Sequence, residues 1–176
     1  GLAEREGPTA PVLALALGKT ALETGRWQSM WNGNWGNIKA SDKYEGLYTC
    51  IVLNEVLGGK VVWFDPRGRL TGNPAKGGVL AGDLADEGRS VPPGHPQTRM
   101  RAFTSASDGA LDYVRFVAGG RYAAAWELLL AGDAQGYVHA LKVAGYFTAD
   151  EATYAKGVIS LQREFIGRLA ALPAPE

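Results

Sequence analysis

The hydrophobic period of this chain changes twice along its length, and no other feature limits the fold as strongly. From Ala10 to Glu23 apolar residues recur at helical spacing, with Val12, Leu13, Ala16, Leu17, Thr20 and Ala21 on one face. From Tyr44 to Phe64 that period gives way to two β-rich runs, Leu47 to Leu53 and Lys60 to Phe64, separated by the hairpin signal Gly58-Gly59. From Ser107 onward the helical period returns and holds to about Leu172. The expected architecture is therefore α+β and mostly α. Helices surround a small β-hairpin lobe, an arrangement that leaves a cleft between the lobes.

Punctuation residues set the expected boundaries. Thr9 is placed to cap the first helix, with Pro11 in its first turn and Gly25 as its stop. Trp27 to Lys39, rich in Trp, Asn and Gly, reads as a loop. Asp65 to Gln97 is too long and too rich in Gly, Pro and charge for an ordinary connection, and reads as an insertion, partly ordered at best. A third short strand is expected at Arg99 to Phe103. Ser107 or Asp108 caps a helix through Val117, and Arg121 to Ala131 forms another, closed by Gly132. Asp133 caps a third, ended by Gly145, and Thr148-Ala149-Asp150-Glu151 reads as a capping box for the last. The chain is expected to be a single domain over 1–176, with the β lobe at about 44–103 including the insertion.

Composition removes several functions. Lys plus Arg and Asp plus Glu both number 18, so the basic footprint of a nucleic-acid binder is missing. One cysteine, Cys50, allows no internal disulfide, and with two histidines it makes a Cys/His zinc site unexpected. No metal and no cofactor are expected. No apolar run has the length of a membrane span, so no membrane insertion is expected, and the N-terminus carries no signal-peptide pattern. A Ser/His/Asp or Cys/His hydrolase is disfavoured: His95 lies in the insertion, His139 on a helical face and Cys50 in an apolar strand run.

One carboxylate stands apart. Glu23 ends the first helix, where the macrodipole opposes negative charge, and Trp27, Trp31 and Trp35 follow closely enough to exclude water from it. Both effects favour a protonated carboxylic acid, which is what general-acid cleavage of a glycosidic bond needs. The plainer alternative is a solvated surface Glu near a helix end. The aromatic content fits a sugar site, because sugar C–H faces pack on aromatic rings while Asn and Lys reach hydroxyls and acetamides. For Trp31 and Trp35 the competing role is core or lobe-interface packing, and for Asn32, Asn34 and Asn37 it is turn formation.

Read together, these segments resemble a known family. Ala21-Leu22-Glu23-Thr24-Gly25 is similar to the Ala-Leu-Glu-Ser/Thr-Gly motif of glycoside hydrolase family 73, the peptidoglycan β-N-acetylglucosaminidases that include flagellar rod hydrolases and many autolysins. Asn34-Trp35-Gly36-Asn37-Ile38-Lys39-Ala40 resembles its Asn-x-Phe-Gly-Ile-Lys-Ala segment, and Tyr44-Glu45-Gly46 its aromatic-x-Gly entry to the hairpin. Arg101-Ala102-Phe103 with Ala110-Leu111-Asp112-Tyr113, then Arg121-Tyr122-Ala123, then Ala144-Gly145-Tyr146-Phe147-Thr148 with Tyr154-Ala155 resemble later motifs, in the family's order. The likeness runs from about Ala10 to Leu161. Asp65 to Gln97 has no counterpart, and Ala149-Asp150-Glu151 replaces the family's Asp-Pro.

The resemblance implies a lysozyme-like fold, Glu23 as the catalytic acid, Glu55 as a second carboxylate in the β lobe and Tyr146 lining the site. It implies substrate contacts from Trp31, Asn34, Trp35, Lys39, Tyr44, Tyr113, Tyr122 and Tyr154. The implied partner is the glycan strand of peptidoglycan, with action in the bacterial cell wall, whether periplasmic, extracellular or virion-associated, and a place in a secreted, flagellar, secretion-system or phage tail assembly. A muramidase or lytic transglycosylase on the same scaffold and a non-catalytic wall-binding module stay open as alternatives.

Overall fold

The computed structural model describes residues 8–81 and 94–173. It divides into two compact units, one built from Gly1–Ser29 with Leu111–Glu176 and the other from Met30–Ala110. The expected α+β, mostly α composition is found. Among the described residues five α-helices, α1 (Ala10–Glu23), α2 (Ala106–Ala118), α3 (Ala123–Leu130), α4 (Ala134–Val143) and α5 (Glu151–Ala170), accompany five short strands. The boundary between the units falls inside α2.

The helical unit is organised around α1 and α5. Leu15, Leu129, Tyr137, Val138, Leu141 and Val158 form its main core, all at most 2% exposed. Replacing one of the aliphatic members by Ala would cost about 2–5 kcal/mol. A second cluster joins Ala14 and Ala21 of α1 to Leu161 and Phe165 of α5. The two helices meet backbone to backbone at Gly18, where a Cβ would lie 2.9 Å from the Gln162 nitrogen and 3.3 Å from the Leu161 carbonyl carbon. Higher up, the Leu22 side chain packs onto Gly157, where a Cβ would lie 3.1 Å from its Cδ1. The buried face of α1 differs from the expected one. Ala14, Leu15 and Lys19 are buried and Leu13 is exposed, because α1 is covered on more than one side and its interior stripe is wider than one apolar period shows.

Several caps also differ. Thr9 occupies the N-cap of α1 without a side-chain bond, although Pro11 sits in the first turn as expected. Ser105, not Ser107 or Asp108, caps α2: its Oγ accepts from the Asp108 backbone N–H at 3.1 Å and donates to the Asp108 carboxylate at 2.7 Å. Asp150, not Thr148, caps α5, accepting from the Thr153 N–H at 2.8 Å. In both cases the side chain three residues ahead of the orphan donor has the right reach. Asp133 caps α4 as expected, and Gly132 and Gly145 end their helices at φ 73° and 71°.

In the other unit, β1 (Tyr48–Cys50) pairs antiparallel with β5 (Arg99–Arg101), and β2 (Leu53–Leu57), β3 (Lys60–Asp65) and β4 (Gly68–Leu70) form a three-stranded meander. The single run expected from Leu47 to Leu53 is therefore two strands with different partners; the chain changes sheets at Ile51 and Val52. The hairpin turns through Gly58 and Gly59 at φ 57° and 75°, the pair of positive values that a tight two-residue hairpin needs. The insertion begins with order: β4 continues the meander and Leu70 bridges to Leu80. Its stretch 82–93 lies outside the described residues. Val62, Phe64 and Leu70 are buried, and the Phe64 ring lies 4.8 Å from that of His95.

Two buried polar residues hold this unit together. Asn34 donates to the carbonyls of Ile38 and Arg101 and accepts from the Ile38 N–H, all within 3.1 Å. Arg99, 1% exposed, donates to Asp42 at 2.6 Å and to the Gly94 carbonyl at 2.9 Å.

Candidate active site

Helix α1 delivers Glu23 as its last residue, and the chain then turns away at once. Gly25, Arg26 and Trp27 all have positive φ, 56°, 58° and 63°. For Arg and Trp this left-handed backbone costs on the order of 1–2 kcal/mol each. Local bonds offset it. The Arg26 N–H reaches the Ala21 carbonyl at 2.7 Å, and the buried Thr24 hydroxyl donates to Thr20 and accepts from the Trp27 N–H. The Arg26 guanidinium grips both carboxylate oxygens of Glu164, at 2.7 and 2.6 Å. Glu23 thus stands on a rigid helix end rather than on the loop that follows.

The Glu23 side chain is 22% exposed, and its Oε1 meets both Tyr154 and Lys19. The Tyr154 hydroxyl donates a short hydrogen bond to it from α5. The Lys19 ammonium, one turn back on α1, lies 3.0 Å away. That contact lacks hydrogen-bond geometry and is purely ionic. Lys19 is itself 0% exposed. Its ammonium sits 3.9 Å from the centre of the Tyr146 ring and 5.9 Å from that of Tyr113, a cation held over aromatic faces in a dry place.

Four tyrosines complete the constellation, and each is kept neutral. Burial pushes the Tyr154 phenol far above its ordinary range, and the Glu23 charge and hydrogen bond push further. Burial raises Tyr146 well above its ordinary value, with Glu23 and then Tyr122 adding to it. Burial, with the neighbouring Tyr137, raises Tyr113, and Tyr137 is raised by burial against an opposing pull from Lys19. All four therefore stay protonated, so the Tyr154 hydroxyl remains a donor. Phe147 stacks on Tyr154 at 3.8 Å and 4°, fixing its ring, while Tyr146 lies edge-on to Tyr122 at 5.4 Å and to Phe116 at 6.3 Å.

Of the residues expected at the site, Glu23, Tyr113, Tyr122, Tyr146 and Tyr154 belong to this helical unit. Tyr113 and Tyr122 are buried, at 4% and 5% exposure. Trp27 packs into the helical core. Its ring lies 5.5 Å from Phe165 within the second core cluster, where the left-handed turn directs it.

The remaining expected residues belong to the other unit. Glu55 lies on β2 opposite Val62, and its carboxylate meets the Lys39 ammonium at 2.5 Å. Lys39 also donates to the Gln97 side chain at 2.5 Å. Trp31 is half exposed, and the Trp35 indole donates to the Ala106 carbonyl at 2.9 Å. The Arg101 guanidinium lies 4.6 Å above the Tyr44 ring. Asn34 is buried and spends its amide on the backbone. His139 is exposed beside Glu151, and His95 caps a 3-10 turn through its ring nitrogen.

Sequence reasoning missed Lys19, Tyr137 and Gln97. Lys19 had a readable signal: a lysine four residues before Glu23, inside an otherwise apolar helix face. Tyr137 shows only as an apolar position of α4, and Gln97 closes a segment without periodicity.

Comparison with known proteins shows the fold. No family model matches the chain, and no curated protein matches it. Among solved structures, a mutant of the peptidoglycan hydrolase from Sphingomonas sp. A1 superposes with a TM-score of 0.58 over 93% of this chain and 94% of that one, at 21% identity. A C-terminally truncated glycoside hydrolase domain of FlgJ from Salmonella typhimurium aligns over 94% of this chain and 95% of that one, with a TM-score of 0.49 and 21% identity. The chain thus has the α+β, mostly α fold of the Sphingomonas structure, the lysozyme-like class that the sequence motifs imply.

Proposed function

We propose that the chain is a peptidoglycan hydrolase that cuts the glycan backbone, an endo-β-N-acetylglucosaminidase with Glu23 as its general acid. The observation that carries this reading is the placement of Glu23. It is a partly exposed carboxyl group on a rigid helix end, with a neutral tyrosine donating to one oxygen. With Tyr154 engaging Oε1, a protonated Glu23 can hand its proton to the glycosidic oxygen as the C–O bond breaks. The positive charge that develops on the sugar then needs a carboxylate, a water or the substrate's own acetamide. Glu55 is the proposed second carboxylate, and Tyr146 the proposed ring that orients the scissile sugar. Trp31, Trp35, Tyr44 and Lys39 are the proposed sugar contacts.

A second reading has its own support. Glu55 is neutralised by Lys39 at 2.5 Å. A route in which the substrate's acetamide or a muramoyl hydroxyl does the second step needs no carboxylate there, and the latter is a lytic transglycosylase. The deciding experiment digests purified peptidoglycan with wild-type protein and with Glu23→Gln and analyses the muropeptides by mass spectrometry. N-acetylglucosamine reducing ends made by wild type alone support the first reading, anhydromuramoyl ends the second, and muramoyl reducing ends a muramidase. If folded Glu23→Gln lyses walls as wild type does, Glu23 is not the acid. If wild type makes no cut yet binds walls, the chain is a wall-binding module. The proposed place of action is the bacterial cell wall. Among the described residues no helix is long and apolar enough to cross a membrane.

A further inference from the structure

The hydrogen bond from Tyr154 to Glu23 joins two helix ends that are held differently. Glu23 stands against the bonded turn that follows α1. Tyr154 stands in the first turn of α5, where backbone N–H groups lack helical partners and helices fray. The Asp150 cap fixes the backbone of that turn, not the ring of Tyr154. The ring is met instead by Phe147, from the connection between α4 and α5, at 3.8 Å between centres and 4° between planes. Two rings left to themselves prefer an offset or edge-on meeting at about 4.5–7 Å, so the chain around this pair imposes its face-to-face contact. Lys142 is part of that constraint. Its ammonium donates to the carbonyls of Thr148 and Ala149 at 3.1 and 2.7 Å and lies 5.2 Å from the centre of the Phe147 ring. Resting on the role of Glu23 in the proposed function, we infer that Phe147 is a positioning residue: it braces the Tyr154 ring and so keeps the phenolic hydroxyl on the Glu23 carboxylate.

Phe147 and Tyr154 also flank the N-cap of α5, and an apolar contact across a helix N-cap fixes where the helix begins. That role needs only apolar volume at position 147, which Leu supplies. The stack adds something that volume does not. A flat ring parallel to Tyr154 closes one whole face of it, so the hydroxyl at the tip of the ring cannot tilt toward that side. Both rings pack against the main core of the helical unit, which carries the brace back to rigid structure. The connection between α4 and α5 thereby reaches the candidate acid through one aromatic contact and one hydrogen bond.

The test is a double-variant cycle at one fixed pH. Turnover on saturating peptidoglycan, KM and Tm are measured for wild type, Phe147→Leu, Tyr154→Phe and the two combined. Phe147→Leu is expected to lower turnover about tenfold with KM little changed, since misplacing a catalytic contact by about 1 Å can cost on the order of 100-fold. In the Tyr154→Phe background the same substitution should change turnover less than about twofold, because the hydroxyl that Phe147 positions is gone. The Tm cost should be alike in both backgrounds, since the stack is present in both. A role in starting α5 alone gives the same fold-loss of turnover in both backgrounds, and that result overturns the inference, as does wild-type turnover in Phe147→Leu. Glu23→Gln, assayed beside them, separates the two claims. If it abolishes lysis while the losses at 147 and 154 simply multiply, the acid stands and the role of Phe147 falls. If it retains lysis, or if wild type makes no cut, both fall. Should Phe147→Leu not fold, Phe147→Met, which fills the space with a flexible chain, takes its place in the cycle with the same outcomes.

Discussion

The phenolic hydroxyl of Tyr154 on α5 donates to Oε1 of Glu23 at the end of α1, across 131 positions of sequence. The bond binds the candidate acid to a helix that the chain reaches only at its end. Tyr154→Phe removes the donor and keeps the ring stacked on Phe147. A hydrogen bond to a charged group contributes about 1.5–3 kcal/mol, so lytic turnover is expected to fall about 10–100-fold. Tm should fall by about 3–12 °C for the same loss. Turbidity assays and thermal unfolding check both numbers, and unchanged turnover would show that the bond has no part in catalysis.

Tyr146 separates chemistry from packing. Its ring holds the Lys19 ammonium and lies edge-on to Phe116 and Tyr122. Tyr146→Phe should lower turnover with little change in Tm, because the ring contacts survive. Tyr146→Ala should also cost about 3 kcal/mol of stability through the cavity it leaves. If Phe is tolerated in both measurements, the hydroxyl has no role in the reaction.

The Lys39–Glu55 pair is about one third exposed on each side, so it adds at most about 1 kcal/mol to stability. Lys39→Met should therefore leave unfolding nearly unchanged. If Glu55 stabilises charge on the sugar, Glu55→Gln should reduce turnover on polymeric peptidoglycan by at least tenfold. Equal rates for wild type and Glu55→Gln would make the residue a strand-face charge and favour the acetamide route.

Glu164 gives a pH dependence of stability away from the chemistry. The two-pronged Arg26 contact, with Arg168 adding to it, holds its carboxyl down at about 2 against an ordinary 4.5. A carboxyl depressed on folding contributes stability that is fully present above its unfolded value and is lost as pH falls through its folded value. Glu164→Gln should therefore have a lower Tm than wild type near pH 6, and the gap should close between about pH 4.5 and pH 2. A gap that persists at pH 2 would mean the residue acts through packing.

What the sequence disclosed follows from how local each signal is. Glu23 was legible because a helix end, a Gly stop and a short motif coincide within five residues. The Gly58-Gly59 hairpin was legible because only a few residue types accept its backbone. β4 was hidden, because three residues inside a Gly- and Pro-rich stretch show no alternation. The switch of partners at Ile51 was hidden because one apolar run serves both sheets. The immediate surroundings of Glu23 were the least visible. Tyr154 stood in a family motif with no indication that it would touch the acid, and the ion pair depends on a lysine that hydropathy alone reads as misplaced. Tertiary packing decides both contacts.

Gly18 carries a consequence for how the molecule can vary. The two backbones approach there so closely that one added methyl group would stand 2.9 Å from the Gln162 nitrogen. Glu23 and Tyr154 ride on those same two helices. Gly18→Ala, made more than one turn away from the carboxylate, would wedge α1 from α5 and stretch the oxygen–oxygen contact that Tyr154 makes. On the proposed function, the rate of wall cleavage then becomes a gauge of interhelical spacing, and the absence of a side chain at position 18 sets how closely Tyr154 can approach Glu23.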